Sequence, residues 1–152
     1  MQLTCNVLKA LAGKTLVTAE SCTGGGIGAA ITAIPGSSEV YKGGIISYTN
    51  EVKQKLLGIN PFLLKNLGAV SAPIAEAMAI GARNALSADF AGAVTGLAGP
   101  GGDDKGNPVG LVFVGYADEK RITSRRFVFS GDREEVRAQA VEAALKLILE
   151  LN

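Results

Sequence analysis

The chain has no histidine. That absence removes Ser-His-Asp and Cys-His catalysis within one chain, together with HExxH zinc sites and histidine-held haem. Acid–base chemistry in this protein falls to Lys, Tyr, Asp, Glu or Cys. There are two cysteines, Cys5 and Cys22; two thiols cannot build a structural zinc site, and in a reducing compartment both are expected to be free. The net charge is +1, so no overall field draws the protein to nucleic acid or an acidic membrane, and no aromatic-basic patch is present for stacking on bases. No run of 18 apolar residues occurs, so no transmembrane helix is expected. The opening MQLTCNVLKALAGK is amphipathic, without an apolar h-region or a small-residue cleavage site, and the expected location is the cytoplasm.

What is present is a core-forming chain. Apolar residues make up 47% of its 152 positions, enough for one domain over residues 1–152. Helical spacing is expected over 3–12, with Leu3, Val7, Leu8 and Leu11 on one face. Lys14–Glu20 reads as a buried strand. A glycine turn and a helix bearing Ile27, Ile31 and Ile34 follow, stopped at Pro35-Gly36. Gly43–Asn50 is a predicted strand and Glu51–Gly58 a short helix capped by Asn50. Pro61 opens another short helix, and a longer one runs from about Ser71 to Leu86. Ala88–Gly96 is a strand, and Leu97–Pro108 a loop long enough to suggest function. Val109–Ala117 and Ile122–Ser130 read as an antiparallel hairpin, with Arg125-Arg126 keeping an edge strand soluble. The last helix begins at an Asp132/Glu135 capping box and carries Val136, Ala140, Leu147 and Leu151 as its stripe. This order predicts an α/β fold, a three-layer α/β/α sandwich with a mixed β-sheet.

Sites in such sheets gather where a strand hands over to a helix. TAESCTGGGIG (Thr18–Gly28) occupies such a handover. A Walker loop is excluded at Gly13-Lys14-Thr15, because Leu8 stands where the first glycine is required and the lysine precedes a strand. Gly24–Ala29 fits GxGxxA, but the turn begins too far after the strand for a dinucleotide site. The glycines could also serve only to pack helix on sheet. A hydroxyl reading fits better. Ser21 would face unpaired N–H groups around Gly24 and Gly25, which could hold an oxyanion. It then needs a base, and without histidine a lysine of lowered pKa is the natural choice.

Lys53 is the lysine to consider, in the string Tyr48-Thr49-Asn50-Glu51-Val52-Lys53. At N3 of its helix the macrodipole would disfavour its charge; the competing reading is an ordinary solvated lysine. Tyr48 could relay a proton or hold the lysine. Cys22 is either a rival nucleophile or a small buried hydrophobe. Glu20 either orients a site group or caps the glycine turn. Thr95-Gly96 end a strand before a turn able to bind an anion, and Arg133 could pair with a phosphate or lie solvated.

At these residues the chain resembles the nicotinamide-nucleotide amidases, which correspond to the C-terminal domain of the competence/damage-inducible protein CinA. TAESCTGG (18–25), PGSSEVYKGG (35–44), SYTNEVK (47–53), GAVS (68–71), TGLAGPGG (95–102) and FSGDREEVR (129–137) carry the resemblance. It implies hydrolysis of the carboxamide of nicotinamide mononucleotide to nicotinate mononucleotide and ammonia, a pyridine-nucleotide salvage step. Carried onto this chain, it makes Ser21 the nucleophile, Lys53 the base and Tyr48 its assistant. Gly24, Gly25, Ser38, Thr95 and Gly96 line the site, and Arg133, or else Arg137, meets the phosphate. No metal or cofactor is implied, and a homodimer is. The chain looks like a stand-alone form or a domain of a longer CinA protein. Two non-catalytic alternatives stand beside this: a pyridine-nucleotide-binding module and an interaction domain of a competence or damage response.

Overall fold

The computed structural model describes residues 1–152. Five strands form one mixed sheet in the order β2-β1-β3-β4-β5. They are β1 (Leu16–Glu20), β2 (Tyr41–Ile46), β3 (Phe90–Gly96), β4 (Leu111–Ala117) and β5 (Ile122–Val128). The first three run parallel, and β4 and β5 join antiparallel as the expected hairpin. Six α-helices cover the faces: α1 (Gln2–Ala10), α2 (Gly26–Thr32), α3 (Asn50–Leu57), α4 (Pro61–Leu67), α5 (Ala72–Ala85) and α6 (Arg133–Glu150). This is the three-layer α/β/α sandwich that the sequence predicts.

Strand alternation sorts two cores onto the two faces. Leu16, Val94, Val112, Val114 and Tyr116 point to α1, α2 and α6, where they pack with Val7, Ile27, Ile31 and Ile148. Val17, Ala19, Ala91 and Ala93 point the other way, to Ile74, Met78 and Ala79 of α5 and to Leu57 and Leu64 of the short helices. The second face is built from small residues because α5 comes close. A Cβ on Gly115 of β4 would sit 2.2 Å from the carbonyl oxygen of Ala75, so only glycine permits that approach.

Several element boundaries differ from expectation, and one matters for the site. A short 3-10 turn at Ser37–Glu39, unforeseen, leads into β2, which starts earlier than expected and ends at Ile46. Ser47 and Tyr48 therefore lie beyond the strand. The cap of α3 is Thr49, whose Oγ1 accepts from Val52 N at 3.3 Å, not Asn50. Lys53 is thus one position deeper than N3. The expected capping box of α6 is present: Asp132 accepts from Glu135 N, and the Glu135 carboxylate accepts from Asp132 N.

Candidate active site

Ser21 lies one residue past the end of β1, at the carboxyl edge of the parallel strands, where its N–H still donates to Val94 O at 3.0 Å. The chain then turns through Thr23-Gly24-Gly25 into α2. Gly24 and Gly25 have φ of 59° and 102°, left-handed values that favour glycine at both positions. Gly24 N–H closes back on Ser21 O at 3.1 Å. The turn therefore consumes one of the donors expected to face the site.

Glu20 consumes more of them. The residue is 2% exposed, and its carboxylate accepts four hydrogen bonds: from Thr23 Oγ1 at 2.7 Å, Ile27 N at 2.8 Å, Gly28 N at 3.0 Å and Thr18 Oγ1 at 3.3 Å. A helix N-terminus leaves its first N–H groups unpaired and favours negative charge. Of the two readings open for Glu20, the structure selects the cap.

Lys53 is 1% exposed and has no carboxylate within ion-pair reach. Side chains on a helix lean toward its N-terminus. Lys53 accordingly runs back along the first turn of α3, and Nζ arrives 2.8 Å from Ser47 O, 3.3 Å from Tyr48 O and 3.1 Å from Ser21 Oγ. Burial of the ammonium, unrelieved by an acid, lowers its pKa to about 8. The solvated reading of this lysine is excluded. Cys22 is buried, and burial pushes its thiol up to about 11, so it is a protonated wall residue and a poor nucleophile.

Ser21, Tyr48, Lys53, Thr95, Gly96 and Arg133 line a single cavity of about 500 Å³ between the strand ends and the 97–110 loop. Thr95, itself buried, donates from Oγ1 to Ala69 O at 2.8 Å. Tyr48 is 59% exposed, and its hydroxyl accepts from Arg133 Nη2 at 3.1 Å while Arg133 Nη1 donates to Gly99 O at 2.7 Å. Arg137 does not line the cavity; it donates from Nε to Cys22 O and from Nη2 to Thr23 O, at 3.0 and 3.1 Å.

Three expected residues are not brought to this cavity. Gly24 and Gly25 form the turn behind Ser21 and are absent from the wall. Ser38 is exposed on the 3-10 turn that leads into β2, whereas Ser21 follows the far end of β1, where Glu20 pairs with Ile46. A strand length separates the two within one chain. Conversely, sequence reasoning missed Lys65 and Lys105, which bring cationic side chains to the cavity from α4 and from the loop. The unusual length of that loop was the available signal.

Comparisons with known proteins show the family. The family model described as the CinA C-terminal domain matches residues 2–152. A nicotinamide-nucleotide amidohydrolase PncC of Pseudomonas putida is 48% identical over 90% of this chain and 85% of its own length. A CinA-like protein of Endomicrobium trichonymphae is 50% identical over 89% of this chain, but the match spans only 32% of that relative. The crystal structure of a competence/damage inducible protein, CihA, from Agrobacterium tumefaciens superposes with a TM-score of 0.95 at 39% identity, covering 99% of this chain and 94% of that one. The chain belongs to the CinA C-terminal domain family.

Proposed function

We propose that this member of the CinA C-terminal domain family is an amidohydrolase that converts nicotinamide mononucleotide and water to nicotinate mononucleotide and ammonia, with Ser21 as nucleophile and Lys53 as base. The observation that carries the proposal is the buried contact of 3.1 Å between Lys53 Nζ and Ser21 Oγ on the cavity wall. Similarity to the Pseudomonas nicotinamide-nucleotide amidohydrolase supports a nicotinamide nucleotide as substrate.

The chemistry follows from what surrounds Nζ. A neutral lysine amine has two N–H donors and one lone pair. The carbonyls of Ser47 and Tyr48 take the two hydrogens, which leaves the lone pair for the Ser21 proton. Because burial holds the pKa near 8, the neutral form is populated at physiological pH, as a general base requires. Ser21 Oγ attacks the amide carbon as its proton passes to Lys53. The Cys22 N–H, the peptide directly after the nucleophile, donates to no backbone carbonyl and is assigned to the oxyanion. Lys53, with the Tyr48 hydroxyl, returns the proton to the leaving nitrogen, and ammonia departs. Water, deprotonated by the same amine, then opens the nicotinoyl ester of Ser21. Lys65, Lys105 and Arg133 outnumber Asp103 and Asp104 on the cavity wall, an excess of one positive charge that suits an anionic substrate end.

A homodimer belongs to the same proposal. Ser38 could contribute to a site only from a second copy, and Ile46, 55% exposed, adjoins Tyr48. Sedimentation velocity reads this directly, and a monomer across working concentrations rejects it.

The deciding experiment measures ammonia release from nicotinamide mononucleotide by wild type, Ser21→Ala and Lys53→Ala. Turnover by wild type and its loss in both variants is the expected outcome. Turnover surviving both substitutions rejects the mechanism, and a wild type that binds the nucleotide without releasing ammonia turns the reading to a binding module.

A further inference from the structure

Arg133 and Arg137 stand four residues apart near the start of α6 and therefore on one helix face. Neither has a carboxylate partner. Each reaches instead to a different half of the site: Arg137 to the carbonyls of Cys22 and Thr23, Arg133 to the Tyr48 hydroxyl and the carbonyl of Gly99. We infer that this face of α6 is a bracket in which Arg137 positions the nucleophile turn and Arg133 positions the Tyr48 hydroxyl. For turnover, the inference rests on the amidase reading.

Residues 22–25 form the turn that carries Ser21 into α2, and two consecutive glycines make its backbone soft. A peptide unit is planar, so fixing a carbonyl fixes the whole plane. The Arg137 fork fixes two successive planes of this turn. Its anchor is firm: Val136, Ala140 and Ala144 of α6 are fully buried, and the capping box closes the helix start.

Tyr48 is mostly exposed and follows the end of β2, so packing does little to hold its ring. The one hydrogen bond to its hydroxyl comes from Arg133. Arginine only donates, so the phenol oxygen must accept, and the phenol's own hydrogen stays free to be given to a leaving group. In both arginines two of the five N–H donors are already engaged by the protein, from Nη1 and Nη2 in Arg133 and from Nε and Nη2 in Arg137.

The test compares wild type with Arg133→Ala, Arg133→Lys, Arg137→Ala, Arg137→Lys, Tyr48→Phe and the Tyr48→Phe/Arg133→Ala double variant, with thermal melting to confirm folding. Substrates are nicotinamide mononucleotide and nicotinamide riboside, which lacks the phosphate. A second readout needs no substrate: the rate at which phenylmethylsulfonyl fluoride adds mass at Ser21. Arg133→Ala is expected to lower kcat on both substrates alike, by about 10²-fold as for a misplaced group. The double variant should be no slower than Tyr48→Phe alone. Arg137→Lys keeps the charge and loses the fork, so it should slow sulfonylation and kcat together at little change in KM.

A loss confined to KM for the phosphorylated substrate would make Arg133 a phosphate ligand and overturn its positioning role. Losses that multiply in the double variant, or wild-type sulfonylation in Arg137→Lys, would overturn the bracket as well. If wild type is sulfonylated at Ser21 but releases no ammonia from either substrate, the amidase reading fails while the labelling rates still decide the role of Arg137. A wild type that resists labelling leaves no primed serine for the bracket to hold, and the inference falls.

Discussion

The two walls of the cavity are built to different standards. On one side, Ser21 and Lys53 are buried among several fixed hydrogen bonds: Glu20 holds the helix start, Arg137 the turn and two carbonyls the amine. On the other side, Tyr48 is exposed and its hydroxyl is held by Arg133 alone, while the outer part of the loop after β3 is exposed and meets α4 through one bond, from Lys105 Nζ to Lys65 O at 3.2 Å. A proton transfer between serine and lysine requires hydrogen-bond geometry before substrate arrives, which favours a rigid wall. On the proposed function, admitting a nucleotide and releasing its deamidated product favours a wall that yields. On this view, substitutions on the first wall act on chemistry and stability, those at Tyr48 and Arg133 on proton return, and those in the loop on binding.

The largest effect should come from the rigid wall itself. Ser21→Ala or Lys53→Met should lower kcat by roughly 10⁴-fold or more, as removal of a nucleophile or its base does elsewhere. The two losses combined should scarcely exceed either alone, because the residues act as one unit. Independent, multiplying losses measured by ammonia release would break the pairing of Ser21 with Lys53.

Glu20 comes next, and its effect should appear first in stability. Glu20→Ala leaves the N–H groups of Ile27 and Gly28 and two threonine hydroxyls without their buried acceptor. Each stranded donor costs about 1–3 kcal/mol before relaxation, so a loss of about 3–5 kcal/mol is expected. That is a fall in Tm on the order of 10 °C for a chain of this size. Glu20→Gln keeps one acceptor oxygen and should lose about half as much. A melting curve unmoved by Glu20→Ala would show that the turn stands without its cap.

Lys53 links the rigid wall to pH. Its amine must be neutral to act, so kcat/KM should rise with pH and level off above about 8. Below that value activity should fall roughly tenfold per pH unit. The same depression affects folding. Between the folded value of about 8 and the ordinary value of 10.5, the unfolded chain binds the proton that the folded chain releases, so stability rises with pH across that window. Relative to Lys53→Met, wild type should gain on the order of 3 kcal/mol from pH 8 to 10.5. Parallel stability curves for the two proteins would show that the amine is not desolvated.

Much of this architecture is legible in local patterns. The strand before Ser21, the proline start of α4 and the α6 capping box are signals within a few residues, and all stand where expected. The missing histidine pointed to a lysine, and the structure brings Lys53 to Ser21 across 32 residues. What the sequence conceals is made of main chain or of distance. The carbonyls of Ser47 and Tyr48 are available because β2 stops at Ile46, and strand ends are poorly marked by periodicity. Arg137 meets the serine turn over a separation of 115 residues, a contact that no local spacing encodes. Gly24 and Gly25 were expected as site lining because a glycine turn reads equally well as a cradle or as a hinge, and Glu20 settles which donors remain.

The smallest effect should come from the yielding wall, and it tests the comparison most sharply. Lys105 lies along Gly68, its Cγ 3.2 Å from where a Cβ would stand, and its ammonium meets Lys65 O. This joins the loop to α4 by one exposed bond, worth about 1 kcal/mol at most. Lys105→Ala should therefore raise KM for nicotinamide mononucleotide only severalfold, the equivalent of about 1 kcal/mol. The kcat should stay within about twofold of wild type, and the melting temperature should move by no more than about 2–4 °C. Nicotinamide riboside, which has no phosphate for a cation to meet, should be less affected on the proposed function. A fall in kcat matching that of Arg133→Ala would mean that the loop takes part in holding Tyr48. The loop would then belong to the catalytic frame, and the division between a wall that does chemistry and a loop that binds would not hold.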